Sequence, residues 1–475
     1  MSLYRHKMMM YLCNVMKKYL FLAAFFVSLV AYPQEKHAKM DSTNQSSESL
    51  GDWFKRGELD FHVRNFYMAT RNKGALLDYS SLATGAGMGY YSPSFKGFHV
   101  GFSGFFVFQL YEHNLRIADP STGNVNRYEI LLYDMNDLDN TRDLDRLEHL
   151  YISYLKGGFQ AVFGRQSVNS PFLNEQDNRM RPNTFSGLTL RYKTNEWDIY
   201  GGAFSHVTMR GTVDWYTIEE SFGVYPFGRN PFGEPSRYKD NITSKGIGML
   251  GVQRKLNEHG NLQVYNYWAE NVFNTTIAQT DWKFGMGGKG LQLGLQGFYE
   301  SPTGGGNENP TMSYIMDSEQ TYGIGGKAGW YAGNHAWSLN FLGISDSGRF
   351  LFPREWGRER FYASLPRERF EGNGGVTAIT AKYDWKSSHN WRGALGASTV
   401  KNPDINNYGL NKYGVPSYYH FVGELDYEFD GFLKGLDLRF MVVNKTAQRP
   451  NQVPDRFRIN RVDMWNFNVI MDYRF

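Results

Sequence analysis

Trp465-Asn466-Phe467-Asn468-Val469-Ile470-Met471-Asp472-Tyr473-Arg474-Phe475 closes the chain and decides how the rest is read. Trp465, Phe467, Val469, Met471, Tyr473 and Phe475 share one face, while Asn466, Asn468, Asp472 and Arg474 share the other, with Ile470 the one apolar exception. Period two marks a strand with two unlike faces. An apolar row left unpaired would aggregate unless another strand closed on it. A bilayer admits only helices and closed barrels, because every backbone N–H and C=O must be satisfied within the protein. The stretch therefore predicts an all-β, antiparallel transmembrane barrel with its aromatic face against lipid and its polar face around water.

Composition agrees. The 475 residues include 51 Gly, 32 Tyr and 35 Phe, and the mean hydropathy of −0.51 is too polar for helical spans. A barrel of this size forms as one unit. The one long apolar run, Tyr19 to Ala31, follows Lys17 and Lys18 and precedes polar sequence; it reads as a secretory signal and is too short for a spanning helix. Met16-Lys17-Lys18 looks like a natural start. We expect a signal peptide over 1–31, a flexible tail over 32–56 and a barrel over 57–475. Removing the signal takes away Arg5, Lys7, Lys17 and Lys18 and no acid, so 51 basic residues fall to 47 against 47 acidic ones. A net charge near zero gives no footing for nucleic acid. The single cysteine, Cys13, leaves with the same segment, so neither a disulfide framework nor thiol chemistry is expected.

The alternation of the last stretch recurs upstream. Leu59, Phe61 and Val63 oppose Asp60, His62 and Arg64; Phe98, Val100, Phe102, Phe106, Phe108 and Leu110 oppose His99, Ser103 and Gln109. Leu291, Leu293, Leu295 and Tyr299 oppose Gln292, Gln296 and Glu300; Ile379, Ala381, Tyr383 and Trp385 oppose Thr380, Lys382 and Asp384. Between Gly246 and Lys255 the faces are ambiguous. Short turns are expected near 94–97, 156–158, 193–196, 257–261, 287–290, 332–335, 386–390 and 430–435. Long polar loops are expected at about 70–86, 112–146, 166–186, 206–243, 271–281, 302–320, 345–375, 400–418 and 446–461. Eight short turns alternating with nine long loops join about eighteen strands, with both ends of the chain on the short-turn side.

A barrel of that width encloses a channel unless something fills it. Selectivity then falls to inward strand residues and to any long loop that folds inside. The loop over 166–186 is the best candidate: Pro171, Pro182 and Gly187 fix bends, Phe172, Met180 and Phe185 offer apolar anchors, and Glu175, Asp177, Arg179 and Arg181 set opposite charges side by side.

Three pieces of the chain resemble the OprD-type substrate-specific porins. Arg64-Asn65-Phe66-Tyr67 is similar to the family's first-strand motif. Pro171 followed by Asp177, Arg179, Pro182, Thr184, Phe185 and Gly187 resembles its inward-folded third loop. The close, from Glu424 through Leu438-Arg439 to Val469-Ile470-Met471-Asp472-Tyr473, looks like its last strands, and the terminal aromatic resembles the assembly signal of outer-membrane barrels. The resemblance implies an eighteen-stranded channel in the bacterial outer membrane, with short periplasmic turns, long extracellular loops and the third loop folded into the pore. It implies passive, partly selective uptake of small carboxylate-bearing solutes along a ladder of basic side chains. Arg179 and Arg439 match ladder positions, and Arg64 lies in the first-strand motif. Arg181, Arg71, Lys445, Arg456 and Arg458 are of the right type on inward or near-loop positions. Glu175, Asp177, Glu424 and Asp426 would form the acidic side. The chain departs from the pattern at Met441, where the family often has a second Arg. The implied partners are small solutes, outer-membrane lipid and lipopolysaccharide, and the barrel-assembly machinery acting on the strand that ends at Phe475; no cofactor is implied.

Other constellations have plainer readings. Asp134, Asp137, Asp139, Asp143, Asp145 and Glu148 lack the spacing of a calcium loop and read as a solvated outer loop. Arg354, Arg358, Arg360, Arg367 and Arg369 alternate with Glu355, Glu359, Glu368 and Glu371 and read as mutual ion pairs, although the same residues could meet lipopolysaccharide phosphates or dip into the pore. No Gly-x-Ser-x-Gly, His-Glu-x-x-His or paired-Cys motif is present, and His149 with Ser153 on one face is too sparse a set for catalysis. A general diffusion pore, a blocked barrel acting as an enzyme or surface binder, and a secreted soluble all-β protein are the competing readings.

Overall fold

The computed structural model describes residues 50–176 and 179–475. The expected signal peptide, Cys13, the tail up to residue 49 and Asp177 lie outside the described residues. Within 49–474, nineteen strands make one sheet: β1 (Glu58–Asn72), β2 (Tyr79–Tyr91), β3 (Phe98–His113), β4 (Arg146–Lys156), β5 (Phe159–Gln166), β6 (Thr184–Lys193), β7 (Trp197–Thr208), β8 (Tyr216–Thr217), β9 (Ile247–Lys255), β10 (Gly260–Ala269), β11 (Phe273–Met286), β12 (Lys289–Pro302), β13 (Thr321–Ala332), β14 (His335–Ile344), β15 (Thr377–Lys386), β16 (Trp391–Lys401), β17 (Tyr418–Glu428), β18 (Leu436–Ala447) and β19 (Met464–Arg474). The two-residue β8 only extends the rim beside β7, and β7 pairs onward with β9. The other eighteen strands are antiparallel to their neighbours, and β1 pairs with β19 from His62↔Arg474 to Asn72↔Met464. That last pairing removes both sheet edges, the condition for a strand ring to sit in lipid.

Burial runs opposite to that of a soluble sheet. On β19, Trp465 is 48% and Phe467 38% exposed while Asn466 and Asn468 are buried. On β3, Phe98, Phe102, Phe106 and Phe108 are exposed, whereas His99 and Val107 on the other face are buried. Exposed rings gather near both rims: Trp268, Tyr299, Tyr322, Tyr419 and Trp465 toward the long loops, Trp197, Trp330 and Trp337 toward the short turns. Two aromatic girdles around an apolar band are the outer surface of a membrane barrel.

All eight short turns stand where the sequence places them. Two long loops do not. The expected loop at 70–86 shrinks to residues 73–78, because Tyr79–Tyr91 is strand. Its Gly85 and Gly87 lie under the Phe105 ring, where a Cβ would come within 2.4 and 2.5 Å of ring carbons. The loop at 271–281 shrinks to 270–272, because the Thr- and Asn-rich start of β11 pairs fully with β10 and β12. Within the segment 32–56, expected as a flexible tail, Leu50–Lys55 is a short helix, and Trp53 is buried with its indole N–H on the Pro93 carbonyl at 2.8 Å. The ambiguity over 246–255 has a cause. Ile247 and Met249 face inward yet join an apolar cluster built from loops, so both faces of β9 are apolar.

Candidate functional site

Four connections at the long-loop end, 114–145, 167–183, 209–246 and 345–376, turn inward and share two apolar cores with inward strand residues. The third-loop segment is riveted by Phe172, fully buried, whose ring lies 5.3–5.7 Å from those of Tyr267, Phe350, Phe352 and Phe361. Burying a ring of this size stabilises the arrangement by about 1.5–3 kcal/mol. Polar contacts fix the register between the segments. Asn174 Nδ2 donates to the Arg358 carbonyl at 2.8 Å and its Oδ1 accepts the Arg358 N–H at 3.1 Å, while Gln176 Nε2 donates to the Arg354 carbonyl at 2.8 Å. Glu300 on β12 accepts the Leu351 N–H at 2.6 Å, and Arg349 makes a two-pronged bond to Glu319. The segment 345–376 is thus held at both flanks inside the barrel.

What the loops leave open is a cavity of about 940 Å³. Its wall toward the chain ends carries Arg64, Arg439, Asp472 and Arg474; its roof carries Asn174, Glu175, Arg179, Arg358, Arg360 and Arg367; its far wall carries Lys327, Lys382 and Asp384. Arg64 Nε and Nη2 grip Asp472 at 2.6 and 3.3 Å, His62 shares the same carboxylate at 2.8 Å, and Arg64 Nη1 donates to the Arg179 carbonyl at 2.6 Å. One arginine so ties β1, β19 and the third-loop segment together. Arg439 is paired with Asp426 on the neighbouring strand.

The fold brings some of the predicted residues to this cavity and not others. Arg64, Arg179, Arg439, Glu175 and Glu424 line it; Asp426 touches it only through Arg439. Arg181 does not line it: fully buried, it donates to the carbonyls of Leu144 and Tyr133 at 2.8 and 3.4 Å and braces the segment 114–145. Arg71 pairs in register with outward-facing Trp465, so it lies on the outer face at the rim, 3.4 Å from Asp78. Arg456 is exposed over the Phe457 ring, and Arg458 is engaged with Asp455 and Asp463 in the last long loop, so neither faces the cavity. Lys445 is inward but higher, its ammonium 2.6 Å from the Arg367 carbonyl. The acidic run also departs from a solvated loop: Asp134 is buried, and Glu148, on β4, clamps Arg146 at 2.7–3.0 Å.

The residues missed lie mostly in the Arg/Glu-rich segment. Ion pairing holds for Arg354 with Glu371 and Arg369 with Glu359. It fails for the rest. Arg358 donates to the Leu365 carbonyl, Arg367 to the side-chain oxygens of Asn466 and Asn468, and Lys382 to the Ser364 carbonyl. Arg360 and Lys327 have no ion-pair partner among the described residues. The aromatic density of this segment, with Phe350, Phe352, Trp356, Phe361 and Phe370 all buried, was the available signal that it folds inward.

Above the cavity a second basic group surrounds Tyr128. Burial pushes its phenol up, yet the cations of Lys445, Arg127, Arg367 and Arg354 outweigh that and hold it below the ordinary range. Burial and neighbouring Arg210 push the Arg367 guanidinium down to about 9, which leaves it cationic at neutral pH.

Several known proteins share this architecture. The chain matches the family model of outer membrane porins of the OprD family over residues 51–352. Among solved structures it is similar to Pseudomonas aeruginosa OpdK with vanillate (TM-score 0.66, 15% identity, 89% of this chain and 99% of that one). It is similar also to Pseudomonas aeruginosa OccK9 (OpdG), with TM-score 0.68, 14% identity and the same coverage. Acinetobacter baumannii OccAB4 gives TM-score 0.68 at 13% identity, over 88% of this chain and 98% of that one. Among curated protein sequences none matches. With the ring of eighteen strands, the lipid-type exterior and a family match over most of its length, the chain belongs to the OprD family of porins of the bacterial outer membrane.

Proposed function

We propose that the lumen is a passive, partly selective pathway for small carboxylate-bearing solutes such as amino acids, short peptides and organic acids. The observation that carries this reading is the charge balance of the cavity: Lys327, Arg358, Arg360, Arg367 and Lys382 meet neutral oxygens or no partner among the described residues, not carboxylates. A carboxylate entering a narrow pore loses hydration, and guanidinium groups replace it with directed, charge-assisted bonds. Opposite charges 4 Å apart attract by about 4 kcal/mol at an effective dielectric near 20, against about 1 in bulk water. Attraction of that size, shared over several cations, concentrates an anion without trapping it. Glu175 and Glu424, on the same cavity, give a cationic part of a zwitterion a place to sit. The vanillate held by OpdK is a carboxylate as well. The long loops face outward from the cell, the short turns face the periplasm, and the closing strand is the one presented to the assembly machinery.

The test is current block in a planar bilayer. Small carboxylates should reduce potassium chloride current at millimolar concentration, and their neutral amides should not. Equal block by acid and amide, or block by neither, would remove the carboxylate reading while leaving the porin intact.

A further inference from the structure

Strand β18 carries inward cations at Arg439 and Lys445 and none between them, since Met441 and Val443 occupy the inward positions there. Six residues at about 3.3 Å each separate the two charges by roughly 20 Å along the strand. On the neighbouring wall, Asn466 and Asn468 of β19 pair in register with Val443 and Met441 and are equally uncharged. An anion moving along this wall would cross a neutral stretch longer than the reach of one cation. Arg367 lies in that stretch. Its Nη2 donates to Asn468 Oδ1 at 2.6 Å and its Nε to Asn466 Oδ1 at 3.2 Å, while its carbonyl accepts Lys445 Nζ at 2.6 Å.

The backbone shows how firmly this placement is imposed. Arg367 has φ of 63°, a left-handed conformation that a side chain other than Gly adopts at a cost. Its neighbours hold it there. Pro366 precedes it, and the buried Glu368 that follows accepts from the Tyr418 hydroxyl at 2.9 Å and is 3.1 Å from His420 Nδ1. Lys445 clamps the carbonyl from outside. The strained residue thus sets its guanidinium against the strand wall with two side-chain amide oxygens as its bound partners, neither of them charged. Arg367 borders the cavity below and belongs to the set of cations acting on Tyr128 above.

We infer that Arg367 is the selectivity-determining charge of this neutral stretch of the lumen: a loop residue that supplies, between Arg439 and Lys445, the cation the wall itself lacks. The inference deepens the carboxylate reading and rests on it. Its asparagine partners are positioning residues, because they aim the guanidinium without neutralising it.

The experiment measures reversal potential in asymmetric potassium chloride for the full-length chain and four variants, each first shown to be folded by its heat-dependent gel mobility. Arg367→Gly suits the left-handed backbone and removes the whole side chain with its charge; Arg367→Gln removes the charge and keeps a side chain there. Both should lower the chloride-over-potassium permeability ratio at least about threefold, and Arg367→Lys should recover most of it. Asn468→Asp leaves the loop sequence intact and neutralises Arg367 from the wall, so it should lower the ratio as the glycine variant does. If the glycine, glutamine and aspartate variants all keep the unsubstituted ratio, or if lysine loses as much as glycine, Arg367 acts through packing and the inference is overturned. An unsubstituted channel without anion preference would instead overturn the carboxylate reading itself, so the two failures are told apart.

Discussion

Replacing Phe172 with Ala tests whether the lumen is narrowed by a loop core independent of the strand ring. Phe172 is fully buried and its ring meets four others, Tyr267 of β10 and Phe350, Phe352 and Phe361 of the segment 345–376. Removing a buried Phe side chain costs about 3–5 kcal/mol. The aromatic pairs give a consistent figure, since four at about 0.5–1.5 kcal/mol each amount to about 2–6. None of that energy sits in the backbone pairing that closes the strand ring. The loss should fall on the loops alone. Heat-dependent gel mobility should stay that of the unsubstituted barrel. Single-channel conductance should rise or become noisy, and trypsin should gain access after Arg358 and Arg360. Unchanged conductance and unchanged proteolysis in a folded Phe172→Ala barrel would refute the claim that this packing sets the opening.

Three further outcomes follow from the same geometry. Arg349→Leu strands the buried Glu319 carboxylate, to which Arg349 donates at 2.6 and 2.8 Å; loss of one partner of a buried pair costs about 3–5 kcal/mol, so limited proteolysis should cut the segment 345–376 first, and equal resistance would contradict this. Arg181→Gln should leave ion selectivity unaltered because Arg181 lies outside the cavity, whereas Arg360→Gln should reduce anion preference measurably; reversal potentials check both, and the opposite ranking would invert the assignment. Glu371 supplies a pH test: burial raises its carboxyl, but Lys412 and Arg354 outweigh that and bring it to about 2. A carboxyl held below its ordinary 4.5 stabilises the folded loops fully above that value, and the contribution is lost as pH falls toward 2. Conductance should stay level from pH 7 to 5 and rise only in stronger acid; a rise already complete at pH 5 would refute it.

Much of the fold is legible because a lipid-facing strand advertises itself. Leu291, Leu293 and Leu295 on one side of Gln292 and Gln296 leave little choice of face, and tight turns such as Gly287-Gly288 mark where the chain reverses. The strands misread as loops lack that contrast. β2 alternates Ser, Ala, Thr and Gly because its inward face must admit the Phe105 ring, and the start of β11 is polar because Thr275 meets Glu300 and Asn266 meets Thr276 and Asn274 across strands. The lumen was harder. Arg354, Arg358 and Arg360 are neighbours in sequence and alike in type, yet one is neutralised by Glu371, one rests on a carbonyl and one stands exposed. Which of these an arginine does depends on what the fold brings from strands a hundred residues away, as Asn466 and Asn468 show for Arg367. Arg181 illustrates the converse: two residues from Arg179, it turns to carbonyls of another loop and leaves the lining altogether.

Under the carboxylate reading, cations unmatched by carboxylates dominate the path through the barrel. The most direct test is the sign of the reversal potential for the unsubstituted channel in a bilayer under a tenfold potassium chloride gradient. Chloride should permeate more readily than potassium, with the potential displaced to the anion side and the displacement shrinking as total salt rises and screens the wall charges. A potential at zero, or one on the cation side, would show that cations do not dominate the path.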